Sequence, residues 1–451
     1  MKNIIILAVL FSFTSTIVSF ADEKKTSVKK DLYIIAEDFI KLLSKGDYEQ
    51  ATNNFDNTMK NVLPAEKLQE AWEKVCNANG AFDSTMVSRF EKAERFEIIY
   101  VTCHFQKGSV DAKVVFDSSE KITGLFFLNS EKAREFTYTL PTYASIASFS
   151  EQEIRFGSAP WQLPGTVTIP KGKGPFPLLV LVHGSGPQDR DETIGPNKPF
   201  RDLSAGLGSL GIATLRYEKR TRHYSQLSAS LKNDIDVEFE TILDAVEAAK
   251  AARTIDKIDS KKIFLLGHSL GGYLIPRIAV KAPEIAGYVI MAGNCRPMED
   301  LILAQTKYIF SLEGPLSEEK KDFLKKLEQQ IAAVKNPKLS KDTPAETLPF
   351  GICGKYWLSL KDYAPEKLAS TIKRPFFVIQ GGRDYQVTSE DLGIWQKGLL
   401  SNASATFKLY PALNHIFLHG EGKCSPSEYE LPGNIYEPVI KDIANWIKSV
   451  K

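Results

Sequence analysis

KKIFLLGHSLGGYLIPRIAV, residues 261–280, decides how the rest of the chain is read. An apolar run stops at Gly267, passes through His268, Ser269, Leu270 and Gly271, and resumes as an amphipathic stretch. The run before the glycine is too continuously apolar for a strand with one wet face, so it reads as a buried strand. Beyond it, Tyr273, Ile275 and Ile278 are available to face a sheet from a helix. Gly267 and Gly271 stand where a tight strand-turn-helix brings the backbone too close to its neighbours for a Cβ. Ser269 is therefore read as a hydroxyl held above a sheet at a helix N-terminus, a nucleophile elbow rather than a serine that merely falls between two glycines.

A serine hydroxyl needs a base, an orienting acid and an anion hole before it becomes a good nucleophile. With an elbow of this kind the chain order is serine, acid, histidine, each at the end of its own strand. Of the six histidines, His104, His183, His223 and His268 come too early, which leaves His415 and His419. His415 closes FKLYPALNH (407–415), a strand followed by a short loop, and is the expected base; His419 reads as a surface or supporting residue. RPFFVIQGGRD (374–384) is a strand ending in a glycine turn and makes Asp384 the expected acid, with Asp300 and Glu299 after GYVIMAGN (287–294) as the runners-up. The oxyanion donors are expected to be the N–H of Leu270 and one from LVHGSGPQDRDE (181–192), Ser185 first and Gly186 second. The alternative there is a plain glycine turn. The run 189–192 either shapes the entrance or is an ordinary solvated loop.

Around this centre, strand-like and helix-like segments alternate from about residue 150 onward, the signature of a mostly parallel sheet with helices on both faces. EIRFGSAPWQLPGTVTIP (153–170) reads as a hairpin pair before it. A helical insertion spans about 296–371. Its segment LSEEKKDFLKKLEQQIAAVKN has Ser317 as N-cap and an apolar face of Phe323, Leu324, Leu327, Ile331 and Val334, as expected of a cap over the sheet top. Tyr356, Trp357 and Tyr363 are candidates for an acyl pocket, with core packing the alternative for at least two. Upstream, residues 31–78 read as helices and 82–129 as a strand meander, a small α+β domain. In element order residues 31–130 resemble the NTF2-like domain of unknown function found upstream of hydrolases in exported bacterial proteins. His104 reads as a satisfied strand histidine, and this domain is assigned no chemistry.

HGSGPQDRDETIGPNKPFRDL, LRYEKRT, GHSLGG, YWLSLKDYAPEKLASTIKRPFFVIQGGRDYQV and LNHIF resemble the α/β-hydrolase family of two-domain bacterial carboxylesterases, elsewhere described as serine aminopeptidase-like or dienelactone-hydrolase-like. The resemblance covers about residues 150–451. It implies an α/β-hydrolase fold with nucleophile Ser269, acid Asp384 and base His415. A serine in place of cysteine counts against a true dienelactone hydrolase, and in place of aspartate against epoxide hydrolase or dehalogenase chemistry. The expected activity is carboxylic ester hydrolysis through an acyl-enzyme, on short acyl chains, with no metal and no organic cofactor. A serine peptidase or acyl-aminopeptidase is the rival enzyme, and a non-catalytic hydrolase-fold binding protein the rival from another class.

Composition points to a small molecule or a neutral polymer as partner, and the expected activity makes it a small-molecule ester. In 451 residues, 57 basic side chains balance 55 acidic ones, a net charge of +2 that leaves no case for nucleic acid. Lys2, the apolar run 4–13 and Ser19-Phe20-Ala21 before a polar stretch read as a signal peptide over 1–21, cleaved after Ala21. The mature chain is expected to be exported, to a periplasm or beyond, without stable membrane association. The alternative is an uncleaved N-terminal anchor. Of five cysteines, Cys76 can pair with Cys103 and two of Cys295, Cys353 and Cys424 with each other; at least one stays free, and five reduced thiols are the equally open alternative.

Overall fold

The computed structural model describes residues 26–93, 96–129, 138–231, 233–312 and 314–451. The signal-peptide expectation falls on residues outside these. Two compact units divide the described chain between residues 129 and 138.

In the first unit four helices, the long ones being Thr26–Lys45 and Ala65–Asn79, precede the strands β1 (Phe82–Ala93), β2 (Phe96–Phe105), β3 (Gly108–Phe116) and β4 (Ile122–Asn129). The strands pair in sequence order as an antiparallel meander. Alternate residues of β3 are buried, as one core-facing side requires. Phe39, Phe55, Leu68, Trp72, Val101 and Val114 meet in one core. His104 pairs with Ser109 across β2 and β3, its Nδ1 2.9 Å from the Ser109 hydroxyl, which is the satisfied strand histidine expected.

The second unit is an eight-stranded mixed sheet in the order β12-β11-β10-β9-β7-β8-β6-β5. The strands are β5 (Phe149–Phe156), β6 (Leu163–Pro170), β7 (Phe176–Val182), β8 (Ala213–Tyr217), β9 (Ile258–His268), β10 (Gly287–Met291), β11 (Phe376–Gly381) and β12 (Ala405–Tyr410). From β8 to β12 the paired strands are parallel, while β6 runs antiparallel to both β5 and β8. This is the α/β-hydrolase fold.

The apolar runs split cleanly between two cores because successive strand residues point to opposite faces. Leu178, Val180, Leu265, Ile290 and Val378 pack on one side against the helices Leu243–Ala252 and Leu270–Lys281. Leu179, Leu181, Leu266, Val289 and Phe377 pack on the other against Pro199–Ser209 and Glu437–Ser449. Burial on both faces is why these strands lack polar alternation. In this sheet β9 lies among the central strands, with the elbow at its C-terminal end.

Helices Met298–Ser311 and Glu318–Lys335 are the two longest elements of the insertion. Ser317 caps the second, accepting from Lys320 N–H at 3.3 Å. Leu327, Ile331 and Val334 join Ile302, Leu348 and Trp357 in a core of their own. Leu324, with Ile309 and Phe310, packs instead on Tyr385, Ile416 and Leu418, the neighbours of Asp384 and His415. Phe323 sits at the margin, 36% exposed and edge-on to Phe310.

Candidate active site

Ser269 follows β9 directly and occupies the N-cap position of the helix Leu270–Lys281, with φ 51° and ψ −117°, a conformation that a residue with a Cβ rarely adopts. The glycines around it are required by space rather than by their own dihedral angles. A Cβ on Gly267 would overlap the carbonyl of Gly271, and one on Gly271 would overlap the carbonyls of Val182 and His183. Gly272 lies so close to Gly293 that an added Cβ would stand 2.8 Å from its Cα. These contacts pull the turn down between β7 and β10, so Ser269 projects from the sheet top.

The structure brings Asp384 and His415 together. His415 Nδ1 lies 2.7 Å from Asp384 Oδ2, and both side chains are buried. Asp384 is saturated with donors: Gln386 N–H at 2.8 Å and Val387 N–H at 3.0 Å to Oδ1, and Gln380 Nε2 at 2.9 Å to Oδ2. Gln380 is itself held by the Val387 carbonyl at 2.7 Å. The loop after β12 is set by Asn414, whose Oδ1 accepts from the N–H groups of Ile416 and Leu418 at 3.2 and 3.0 Å. Gly381 and Gly382 permit that loop to cross β11, since a Cβ on either would strike Leu413 or Pro411 backbone.

The loop after β7 lies against the elbow. A Cβ on Gly184 would stand 3.3 Å from Ser269 Cβ. Gly184 N–H donates to Glu192 Oε1 at 2.6 Å and is thereby occupied. Ser185 N–H and Leu270 N–H meet no backbone acceptor among the described residues; Leu270 follows Ser269 in the chain, and Ser185 follows Gly184, the residue in this contact. Gly186, the second choice, takes φ 82° and turns the loop, accepting from Gln188 N–H at 3.1 Å.

The other sequence candidates go elsewhere. Asp300 pairs with Lys335, and Glu299 lines a separate cavity of about 240 Å³ with Pro297, Lys335 and Trp357. His419 is exposed, its ring 5.7 Å from that of Tyr436. Tyr356 donates to Glu240 at 2.7 Å, Trp357 belongs to the insertion's core, and Tyr363 donates to the Tyr273 carbonyl at 3.0 Å under the Arg277 guanidinium. All five cysteines are free, and burial pushes the Cys103 thiol up to about 12.

Sequence reasoning missed four residues. The run 189–192 is held by ion pairs: Asp191 pairs with Arg216 and Lys198, Arg190 with Glu153 and Glu218, and Glu192 turns inward. Glu192 Oε2 faces His268 Nδ1 at 2.9 Å in an ion-pair contact, and His268 Nε2 reaches the His415 carbonyl at 3.1 Å. Burial opposes charge on both, yet each partner prevails over it: Glu192 holds His268 above the ordinary histidine value, and His268 holds Glu192 below the ordinary carboxyl value. Burial pushes the neighbouring His183 down to about 4. Lys219 and Gln380 complete the four. The available signal was a charged residue inside a segment otherwise destined for burial, as in LRYEK.

Comparison with known proteins follows the same lines. The chain is 37% identical over 413 residues to esterase EstD of Thermotoga maritima, covering 91% of this chain and 93% of that one. The chain belongs to the esterase EstD family. Within this esterase-family chain, a family described as "Serine aminopeptidase, S33" matches residues 227–422, and a family of unknown function designated DUF3887 matches residues 36–125. Among solved structures, a Pyrococcus furiosus esterase is 16% identical, with 67% of this chain and 91% of that one covered at a TM-score of 0.42. A Pyrococcus horikoshii acylaminoacyl peptidase is 15% identical, with 81% and 50% covered at a TM-score of 0.43.

Proposed function

We propose that the protein is a serine carboxylesterase in which Ser269 is the nucleophile, His415 the general base, Asp384 the orienting acid, and the N–H groups of Leu270 and Ser185 the oxyanion donors. The observation that carries this reading is the strained Ser269 at the end of a central strand, in a chain that also holds His415 on Asp384. His415 donates Nδ1–H to Asp384, which leaves Nε2 with its lone pair as the acceptor for the serine proton. Ser269 Oγ attacks the ester carbonyl as Nε2 takes its proton, and the carbonyl electron pair becomes an oxyanion facing the two N–H groups. The C–O bond then breaks, the alkoxide leaves with the proton from His415, and an acyl-serine remains. Water repeats the sequence, delivering its proton to His415 and its oxygen to the acyl carbon, and releases the acid and free Ser269.

Incubation with a fluorophosphonate should add one phosphonyl group to Ser269, located by peptide mass mapping. Ser269→Ala should abolish labelling and lower ester turnover roughly 10⁴- to 10⁶-fold. Turnover within about tenfold of the parent protein would place the nucleophile elsewhere.

Short acyl chains are the substrates this reading favours. The insertion packs its Leu324 cluster down on the neighbours of Asp384 and His415, an enclosure suited to a small acyl group rather than a lipid tail. A peptidase reading is kept alive by the serine aminopeptidase match over residues 227–422. Comparing kcat/KM for matched acyl esters and aminoacyl anilides decides between them, a preference for anilides favouring the peptidase. Export rests on the leader-like pattern of residues 1–21. Its test is whether the N-terminus of the protein recovered outside the cytoplasm begins at Asp22.

A further inference from the structure

Behind Ser269 lies a chain of buried charges that ester hydrolysis by a triad does not require. Glu192, Lys219 and His268 are 1%, 1% and 2% exposed. Glu192 Oε1 accepts from Gly184 N–H at 2.6 Å, and Lys219 Nζ donates to the Gly184 carbonyl at 2.7 Å. Both peptide units that flank Gly184 are therefore held, one by its N–H and the other by its C=O. The second unit is the one whose other end is Ser185 N–H. Because a peptide is planar and trans, its C=O and N–H point in opposite directions, so anchoring the Gly184 oxygen aims the Ser185 hydrogen the other way.

The same charges reach the base. Glu192 Oε2 faces His268 Nδ1 at 2.9 Å, and His268 Nε2 lies 3.1 Å from the carbonyl oxygen of His415, with the two rings 4.8 Å apart. Lys219 is balanced by Glu240 at 2.7 Å, which stands on a π-helical turn, Glu238–Ile242, and also accepts from Tyr356 at 2.7 Å. Buried charges are costly unless paired, and apolar residues of similar volume are often as stable. A stability role alone gives no reason for both pairs to converge on Gly184 and His415.

We propose that Glu192, Lys219 and His268 are positioning residues that hold the Ser185 N–H and the His415 loop in register around Ser269. The inference rests on the reading of Ser269, His415 and Asp384 as the reacting set. Each of the three acts through another group: Glu192 and Lys219 through the Gly184 peptides, His268 through the His415 backbone. Their contribution appears when the oxyanion forms, not when the ester binds, because that is when a misaimed Ser185 N–H matters.

The test uses the full-length protein, p-nitrophenyl butyrate as substrate and butylboronic acid as a tetrahedral-adduct probe. Glu192→Ala and the double variant Lys219→Met with Glu240→Gln, which removes the charge pair but leaves Tyr356 an acceptor, should each lower kcat by about 10- to 100-fold. KM should stay within about threefold, and boronate affinity should fall by about the same factor as kcat/KM. Glu192→Gln still offers an oxygen to Gly184 N–H and should recover part of the loss. His268→Leu, which removes the donor toward the His415 carbonyl, supplies the same readings if either other variant fails to fold. A loss confined to KM, a loss equal to the fall in sites titrated by fluorophosphonate, or unchanged boronate affinity would overturn the inference. Ser269→Ala run alongside separates the two levels: if it stays active the catalytic reading fails, and if it is dead while the others match the parent only the positioning role fails.

Discussion

Asp384 Oδ2 receives two donors at once, His415 Nδ1 at 2.7 Å and Gln380 Nε2 at 2.9 Å. The carboxylate thus holds one imidazole tautomer, with Nδ1 protonated and Nε2 open. Asp384→Asn presents an amide that can donate to Nδ1 and hold the opposite tautomer. Turnover of a short-chain p-nitrophenyl ester should fall roughly 10⁴-fold while the variant still binds substrate. A loss smaller than about tenfold, measured as kcat, would remove Asp384 from the orienting role.

Gln380 is the part of this arrangement that no motif announces. Gln380→Leu has similar bulk but no donors, so it strips one hydrogen bond from Asp384 and leaves the Val387 carbonyl without its side-chain partner. Unsatisfied buried acceptors cost about 1–3 kcal/mol each, and urea unfolding should register a loss of that order. If stability is unchanged, a water has taken the place of the amide.

Two glycine substitutions should have opposite signs. Gly271→Ala drives a methyl group into the Val182 and His183 carbonyls and should destabilise the second unit by about 3 kcal/mol or more. Gly393, inside the helix Ser389–Gly398, has nothing within 4 Å of an added Cβ and no positive φ. Gly393→Ala should stabilise by about 0.4–1 kcal/mol, because alanine loses less backbone freedom in a helix. Denaturant midpoints of the two variants and the parent check both signs.

The Glu192–His268 pair sets a pH window for stability. His268 is raised in the folded protein, so its contribution is complete below the unfolded histidine value of about 6.5 and disappears as pH rises through the folded one. Glu192 is lowered, so its contribution is complete above the unfolded carboxyl value of about 4.3 and disappears as pH falls through the folded one. The parent protein should therefore lose stability relative to His268→Gln as pH rises from about 6.5 through the raised folded-state value. Unfolding free energies of both proteins at several pH values test this; parallel curves would mean that His268 is not charged in the folded state.

Much of this protein was legible before any coordinates because the relevant physics is local. Continuous apolar runs such as 176–182 and 263–267 announce strands covered on both faces, and the spacing of Gly267, Ser269 and Gly271 announces a turn that excludes side chains. Chain order then narrowed the histidines to His415 and His419, and the strand ending in the glycine turn at 381–382 set Asp384 ahead of Asp300 and Glu299. The apolar stripe of residues 323–334 was visible in the same way, down to its cap at Ser317. What folding alone decided is which polar groups meet across the sheet top. His268 is 147 residues from His415, and Gly184 is 35 from Lys219, so no window of sequence contains either pair. The run 189–192 has the composition of a solvated loop, yet Glu153 on β5 answers its Arg190, Arg216 on β8 answers its Asp191, and Glu192 is left to find its partner inside. Burial turns such charges from surface decoration into fixed pairs, since a charge removed from water must be answered by whatever the tertiary structure places beside it.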